Sequence, residues 1–445
     1  MRLPGQHFAG LQERASRMRR LILLSGLIVV TETLQSAGPL VRKAPGKWEL
    51  VAMMAGLMAL NALAIDIMLP GLKQIGASLG VEAENQHQFI ITSYVLGFGV
   101  AQLAYGPLAD RFGRKLPLLV GLVIYFIGAV FCAFVPSFTM MLVVRFCQGL
   151  GAAATRVISV AVVRDLYGGR KMAEIMSLIM MVFMIIPVIA PSIGQTIMLF
   201  GDWHLVFVFL GLAALGNFFW VTFRLPETQH PEDVIELTPK AVLHSFAYVL
   251  SNRVALFYTL ATTFIMACIF GFVTSAQQVY VDIYGLGTLF PLAFAGIGII
   301  MAGSSLANSR IVGRIGMRRL SHGALIGFVV TNGVWLAIDL IFAGAMPFFV
   351  FYVIFAIAWF QFGWIAPNFN ALAMEPLGHV AGAASSILGF ASTAGSALLG
   401  AVIGLSFNGT TTPMIAGFFI FGVIALGFTL IAEKGKLMQP HNPEV

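Results

Sequence analysis

The sequence predicts an all-α integral membrane protein of twelve transmembrane helices, and three observations support this. Hydrophobic residues make up 59% of the 445-residue chain and charged residues only 10%, whereas soluble domains carry about 25% charged residues. The mean hydropathy is +0.91. The apolar residues also gather in runs of the length that a bilayer requires, roughly 20 residues for each helix. These observations exclude a soluble globular protein.

Each predicted span is an apolar run that ends at a short polar connection, except near the middle of the chain. There the polar segment 225–253 is the longest connection between spans and divides them into six and six. The predicted spans are residues 50–69, 88–109, 116–134, 138–163, 172–199, 203–223, 254–279, 291–309, 320–342, 347–371, 379–405 and 412–431. We expect one bundle at 50–224, a cytoplasmic linker at 225–253, a second bundle at 254–432 and a cytoplasmic tail at 433–445.

Residues 1–49 form a basic extension whose apolar run, LILLSGLIVV, is too short to cross a bilayer. A cytoplasmic segment that lies on the membrane surface, a processed signal sequence and a start site annotated too early all remain open. Nearly all 26 Lys and Arg residues fall in alternate connections, and the exceptions are Lys73, Arg145 and Arg156. Positive residues concentrate on the cytoplasmic side of membrane proteins. We therefore expect both termini in the cytoplasm.

An internal repeat supports two pseudo-symmetric halves. The segment LAYGPLADRFGRK aligns with LANSRIVGRIGMR, which matches Arg111 with Arg314 and Gly113 with Gly316. Such halves are typical of carriers that rock around a central site near the bilayer midplane. No GxxxxGK[ST] loop is present, so we expect an ion gradient rather than a nucleotide to supply the energy. The histidines do not cluster, so no metal and no cofactor is expected, and the lack of a basic soluble domain argues against nucleic acid.

Two charged residues lie deep within predicted spans of the first half. Asp66 is near the end of the first span, and Arg145 opens a polar face on the fourth span that continues through Gln148 and Arg156. An intramembrane arginine costs at least about 2.5 kcal/mol and therefore faces a cavity or a partner. From their depths, Asp66 and Arg145 are expected to meet. A carboxylate that moves relative to a guanidinium can bind and release a proton.

The connection after the second span reads GPLADRFGRK and resembles the signature loop of the major facilitator superfamily. The resemblance implies that this loop latches the two halves, with its aspartate near a helix amino terminus of the other half. A carboxylate at a helix amino terminus gains roughly 0.3–1 kcal/mol, enough to bias two near-equal conformations. The residues that match are Gly106, Asp110, Arg111, Gly113, Arg114 and Lys115.

Two further segments resemble the twelve-helix drug:proton antiporters, particularly the Bcr/CflA multidrug efflux group. RFCQGLGAA, beginning at Arg145, resembles a motif linked to proton transfer, and DIMLPGL, beginning at Asp66, resembles the end of the first helix in those antiporters. The fifth span keeps Pro191 and Gly194 of the antiporter motif, but other residues replace two of its glycines. Pro187 and Pro191 are expected to kink this helix.

The predicted function is a secondary transporter that exports small hydrophobic or cationic organic compounds in exchange for protons and works as a monomer in the bilayer. A carrier for one metabolite is the alternative, and a membrane enzyme or receptor lacks the residues or soluble domain it would need. Asp339, near the end of the ninth span, is expected to be solvated or else a second titratable site. The expected cavity residues are Asn61, Gln361, Trp364 and Asn368.

Overall fold

The computed structural model describes residues 45–81, 83–167, 169–229 and 246–439. Within these residues, 12 helices are long and apolar enough to cross a membrane, which confirms the predicted number. Most of the extension 1–49 and the middle of the linker 225–253 lie outside the described residues. The spans, in order, are Lys47–Ser78, Phe89–Phe112, Lys115–Cys132, Phe138–Leu166, Glu174–Met198, His204–Arg224, Arg253–Ile283, Gly287–Ile315, Met317–Ile341, Phe348–Leu377, Ala384–Leu405 and Thr412–Ala432.

The first span is broken and is longer than predicted. An α-helix covers Lys47–Asp66, a short 3₁₀ turn covers Leu69–Gly71, and a second helix covers Leu72–Ser78. Pro70 lies in the first turn of the new helical segment. A backbone N–H at this position has no partner within the helix, so the lack of an N–H in proline costs no hydrogen bond. The proline therefore restarts the helix instead of ending it, and Asp66 lies at the break.

Two spans of the second half contain π-helical segments. One covers Gln278–Ile283 in the seventh span, and the other covers Ala391–Gly395 in the eleventh. A π-helical turn accommodates one extra residue and redirects the side chains that follow, and such turns are frequent at functional sites. Thr393, in the second of these segments, faces the centre of the molecule.

Small residues allow the spans to pack backbone against backbone, as is usual for membrane helices. Gly97 of the second span lies against the backbone of Phe146 in the fourth. Between the two halves, a Cβ added at Gly99 would lie 2.7 Å from the backbone nitrogen of Ala394. The second span therefore packs tightly against the eleventh, and the fifth packs against the eighth.

The structure repeats the same turn at the positions that the sequence repeat aligned. Gly113 and Gly316 have φ values of 87° and 88°, a conformation that glycine adopts without steric cost. Each precedes the third span of its half. The backbone thus agrees with the predicted internal repeat.

Each of these turns lies beside an ion-pair cluster that ties the ends of several spans together. In the first half, Arg114 contacts Asp110 at 2.6 Å and Asp165 at 2.8 Å. In the second, Arg318 contacts Glu375 and Glu433, each at 2.8 Å. Both clusters lie at the same end of the molecule, called the Arg114 end below.

Removing the Glu433 carboxylate is expected to destabilise the second half in a pH-dependent way. Burial alone would raise the pKa of Glu433, but hydrogen bonds from Tyr258 and Arg318 outweigh it and hold the pKa below its usual value. A carboxylate with a lowered pKa adds stability above its unfolded-state pKa and loses it as the pH falls through the folded-state value. We expect Glu433→Gln to lower the free energy of unfolding by about 2 kcal/mol at neutral pH.

Thermal unfolding of purified wild type and Glu433→Gln in detergent, across a pH series, measures this effect. The difference in melting temperature between the two proteins is expected to narrow as the pH falls below about 4.3, the pKa of glutamate in the unfolded chain. A difference that stays constant across the series would contradict a role for the ionised carboxylate.

Asp339 is not solvated, contrary to expectation. Its side chain is completely buried and accepts hydrogen bonds of 2.5 Å from the hydroxyls of Thr411 and Thr412. Thr412 begins the last span, and a carboxylate at a helix amino terminus is favourably placed. Asp339 therefore fixes the start of the twelfth span. Its position near a polar connection in the sequence had suggested contact with water instead.

Candidate functional site

A cavity of about 370 Å³ lies between the two halves, within the usual range for small-molecule sites. The first, second, fourth and fifth spans line one side, and the seventh, eighth, tenth and eleventh line the other. Phenylalanine, methionine and isoleucine dominate its wall. The polar side chains that reach the cavity are Asn61, Asp66, Arg156, Ser392 and Thr393.

Asp66 contributes a carboxylate to the wall of this cavity. Its side chain is only 5% exposed and lies at the break in the first span. Among the residues that the structure describes, no Lys or Arg nitrogen lies within 4.0 Å of its oxygens. The predicted ion pair with Arg145 is therefore not formed in this conformation.

Arg145 is fully buried, and its hydrogen bonds go to neutral acceptors. Nη1 donates to Gln148 Oε1 at 2.7 Å, Nη2 donates to the Ala64 carbonyl at 2.8 Å, and Nε donates to the Ile90 carbonyl at 3.3 Å. The guanidinium also lies 4.3 Å from the centre of the Tyr94 ring. Because Ala64 is in the last turn of the helix that ends at Asp66, Arg145 satisfies one carbonyl at a helix carboxyl terminus. This explains why it does not reach the carboxylate itself.

Asn61 lines the cavity and also joins the first span to its neighbours. Its amide donates to the Thr155 hydroxyl at 2.8 Å, and its carbonyl oxygen accepts from Tyr94 at 3.1 Å. Tyr125 donates to the Leu60 carbonyl at 3.1 Å. Together with Arg145, these bonds hold the segment before Asp66 rigidly against the second, third and fourth spans.

Arg156 differs from Arg145 in its surroundings. Its side chain lines the cavity and is exposed. Within the described part of the chain, no carboxylate lies within 4.0 Å and no hydrogen-bond partner is found. The cavity therefore contains a guanidinium whose donors are available.

The fifth span contacts both the cavity and the break in the first span. Pro187 lines the cavity, and Gly194 lies so close to the Ile67 carbonyl that an added Cβ would overlap the oxygen. Pro191 lies between them in the same helix, Gly169–Met198. The two prolines thus lie where the helix passes from the cavity to Ile67, the residue after Asp66.

Three of the predicted cavity residues point elsewhere. Gln361 donates to Thr331 at 3.0 Å, Trp364 donates to the Ser304 carbonyl at 3.1 Å, and Asn368 donates to Asn308 at 2.7 Å. These bonds join the tenth span to the eighth and ninth, so the prediction that these side chains line the cavity is corrected. Trp359 of the same helix lines it instead. Residues five positions apart lie about 140° apart around a helix.

The sequence profile of the Major Facilitator Superfamily matches residues 54–400. The chain belongs to this superfamily. It is 32% identical over 364 residues to a bicyclomycin resistance protein homolog of Haemophilus influenzae, covering 81% of this chain and 89% of the relative. It is 29% identical over 394 residues to the multidrug resistance protein MdtL of Escherichia coli, covering 87% and 96%.

A solved structure supports the fold. The D-xylose-proton symporter matches 88% of this chain and 99% of its own, with a TM-score of 0.65 and 18% identity. Membership of the superfamily confirms the predicted class, a multi-pass membrane transporter.

The superfamily loop has a partner that the sequence analysis did not assign. Glu227 accepts hydrogen bonds from the backbone amides of Arg114 at 2.8 Å and Lys115 at 3.1 Å, and so satisfies amides at the start of the third span. A Cβ at Gly113 would lie 2.5 Å from Glu227 Oε2, so glycine is required there for this close approach. The sequence could have drawn attention to Glu227, because this residue lies in the polar segment LPETQ directly after the sixth span.

The remaining loop residues lie at the same end. Arg111 lies over the Phe112 ring, and Lys115 Nζ donates to the Thr222 carbonyl at 2.9 Å. Gly106 lies close to the side chain of Ser386 in the other half. Asp110 pairs with Arg114 of its own half, so its contact with a helix amino terminus of the other half stays a prediction.

Polar contacts close the two halves at the opposite end, called the Gln88 end. Gln88 donates to Gln278 at 2.8 Å, Gln278 donates to Asn85 at 2.8 Å, and Asn85 donates to the Phe407 carbonyl at 2.9 Å. Lys73 lies 3.5 Å from Asp282. No sequence pattern indicated these contacts, because each joins residues from different halves.

Proposed function

We propose that the protein is a proton-coupled antiporter that exports small, largely apolar organic compounds across the bacterial inner membrane. The observation that carries the proposal is Asp66, the carboxylate that lines an apolar cavity between two halves. The relatives named for bicyclomycin and multidrug resistance support the direction of transport and the type of substrate. The distribution of the positive residues supports a cytoplasmic location for both termini.

The proposed mechanism uses alternating access to Asp66. Contacts at the Gln88 end close the cavity on that side, so substrate enters from the Arg114 end, the cytoplasmic side. A buried carboxylate without a cationic partner is costly in its charged form. Asp66 therefore binds a proton when no substrate is bound and releases it when a bound substrate stabilises the charge. The protein is expected to work as a monomer, since one chain contains both halves.

Imposed pH gradients in inverted membrane vesicles test this proposal. Wild type is expected to concentrate a lipophilic cation dye when the vesicle interior is acidic, and Asp66→Asn is expected to lose gradient-driven accumulation completely. Asp202→Asn serves as the matched control, because Asp202 is exposed in the connection before the sixth span. Accumulation by Asp66→Asn that still follows the gradient would exclude Asp66 as the proton carrier.

The alternative is a carrier for one specific metabolite. The altered glycines of the fifth span, where Ala190 and Gln195 stand, favour it. If wild type transports no dye in the same vesicles while remaining correctly folded, this alternative replaces multidrug export.

A further inference from the structure

The two arginines of the fourth span have opposite surroundings. Arg145 is completely buried and donates to Ala64, Ile90 and Gln148. Arg156, eleven residues later on the same helical face, lines the cavity and has no such partner among the described residues. A guanidinium deep in a membrane protein is normally paired or hydrated. The partner of Arg156 is thus expected to be a molecule that binds in the cavity.

We propose that the preferred substrates are amphipathic zwitterions, with a carboxylate held by Arg156, an ammonium held by Asp66 and an apolar body between them. This assignment rests on the proposed function and specifies its substrate class. Guanidinium binds carboxylate through parallel hydrogen bonds, among the strongest that a protein side chain makes. The ammonium and a proton compete for the same carboxylate, which is the competition that an antiporter requires.

The helix geometry favours zwitterions whose two charged groups lie far apart. Asn61 bonds to Thr155, the neighbour of Arg156, so these positions lie at the same depth. Asp66 is five residues further along the helix, about 7.5 Å at 1.5 Å per residue. The two groups of an α-amino acid are far closer than this. The substrate therefore needs an aromatic or similarly long spacer, which the side chains of Phe98, Phe270 and Trp359 can contact.

Rocking of the halves does not bring Arg156 to Asp66. Both lie in the first half, and the bonds of Asn61 to Thr155 and of Arg145 to Ala64 tie the first span to the fourth. Carriers of this type move their halves as nearly rigid bodies. Arg156 is consequently not the cation that expels the proton from Asp66, and the two charges stay separated for a substrate to bridge.

Equilibrium binding of three matched probes to purified protein in detergent tests the assignment. The probes are a radiolabelled aminomethyl-biphenyl carboxylate, its methyl ester, which keeps only the ammonium, and its N-acetyl derivative, which keeps only the carboxylate. Wild type is expected to bind the zwitterion at least about tenfold more tightly than either analogue. Arg156→Gln is expected to bind the zwitterion and the ester equally, and Arg156→Lys to restore part of the difference.

Two results would overturn the assignment: wild type that binds the ester as tightly as the zwitterion, or Arg156→Gln that keeps the wild-type ratio. The melting temperature of each variant shows whether a loss of binding results from a loss of folding. The measurement uses no gradient, so it is independent of proton coupling. Zwitterion preference without gradient-driven transport would refute the antiport mechanism alone, whereas gradient-driven transport without the preference would refute the substrate assignment alone.

Discussion

Replacing Arg145 with methionine is expected to destabilise the first half by at least about 3 kcal/mol and to abolish transport. The substitution keeps an apolar stem but leaves the carbonyl of Ala64 and the side-chain oxygen of Gln148 without the donors that now satisfy them. Each unsatisfied buried polar group costs about 1–3 kcal/mol. Water cannot replace the lost donors, because the site is closed to solvent.

This prediction distinguishes two roles for Arg145. If it organises the end of the first helix, Arg145→Met loses thermal stability and substrate binding together, and Arg145→Lys loses part of both, since one ammonium cannot reach three acceptors in the same geometry. If it acts only on the proton, the variants fold and bind normally but lose gradient coupling. Arg164→Met is the control, because Arg164 lies on the same helix with a side chain that is 53% exposed. Melting temperature and binding, measured in parallel, separate the two cases.

The fold could be predicted from the sequence to a large extent because membrane insertion imposes local rules. A span needs a minimum apolar length, and positive residues mark the cytoplasmic connections. The aligned turns at Gly113 and Gly316 were recognisable because a backbone with positive φ favours glycine. The largest error in span length, at Pro70, arose because a proline that ends one helix can also begin the next.

The candidate site could be predicted only in part, because its contacts join residues far apart in the chain. Asp66 and Arg145 were correctly singled out as intramembrane charges, but the acceptors of Arg145 are backbone carbonyls, which every residue possesses and no pattern reveals. The prediction of which face of the tenth span lines the cavity was wrong for a similar reason. The polar and aromatic character of Trp364 suggested that it lines the cavity, but its side chain donates a hydrogen bond to a neighbouring helix. Trp359 lines the cavity instead.

Substituting alanine for Gly194 is expected to separate the fifth span from the break beside Asp66. The new methyl group would overlap the Ile67 carbonyl oxygen, which is part of the backbone and cannot change rotamer. The helix must move away, at a cost of about 1–3 kcal/mol. Because Asp66 immediately precedes Ile67, we expect gradient-driven transport to fall at least about tenfold, more than the loss of stability alone would produce.

Gly216→Ala is the matched control for this experiment. Gly216 lies in the helix His204–Arg224, where an added Cβ meets nothing within 4 Å, and the change from glycine to alanine within a helix usually adds up to about 1 kcal/mol of stability. Melting temperature and vesicle transport are measured for both variants. If Gly194→Ala is as stable and active as Gly216→Ala, the fifth span does not support the segment that holds Asp66. If transport falls while the protein stays folded, this contact transmits movement of the fifth span to the proton-binding carboxylate.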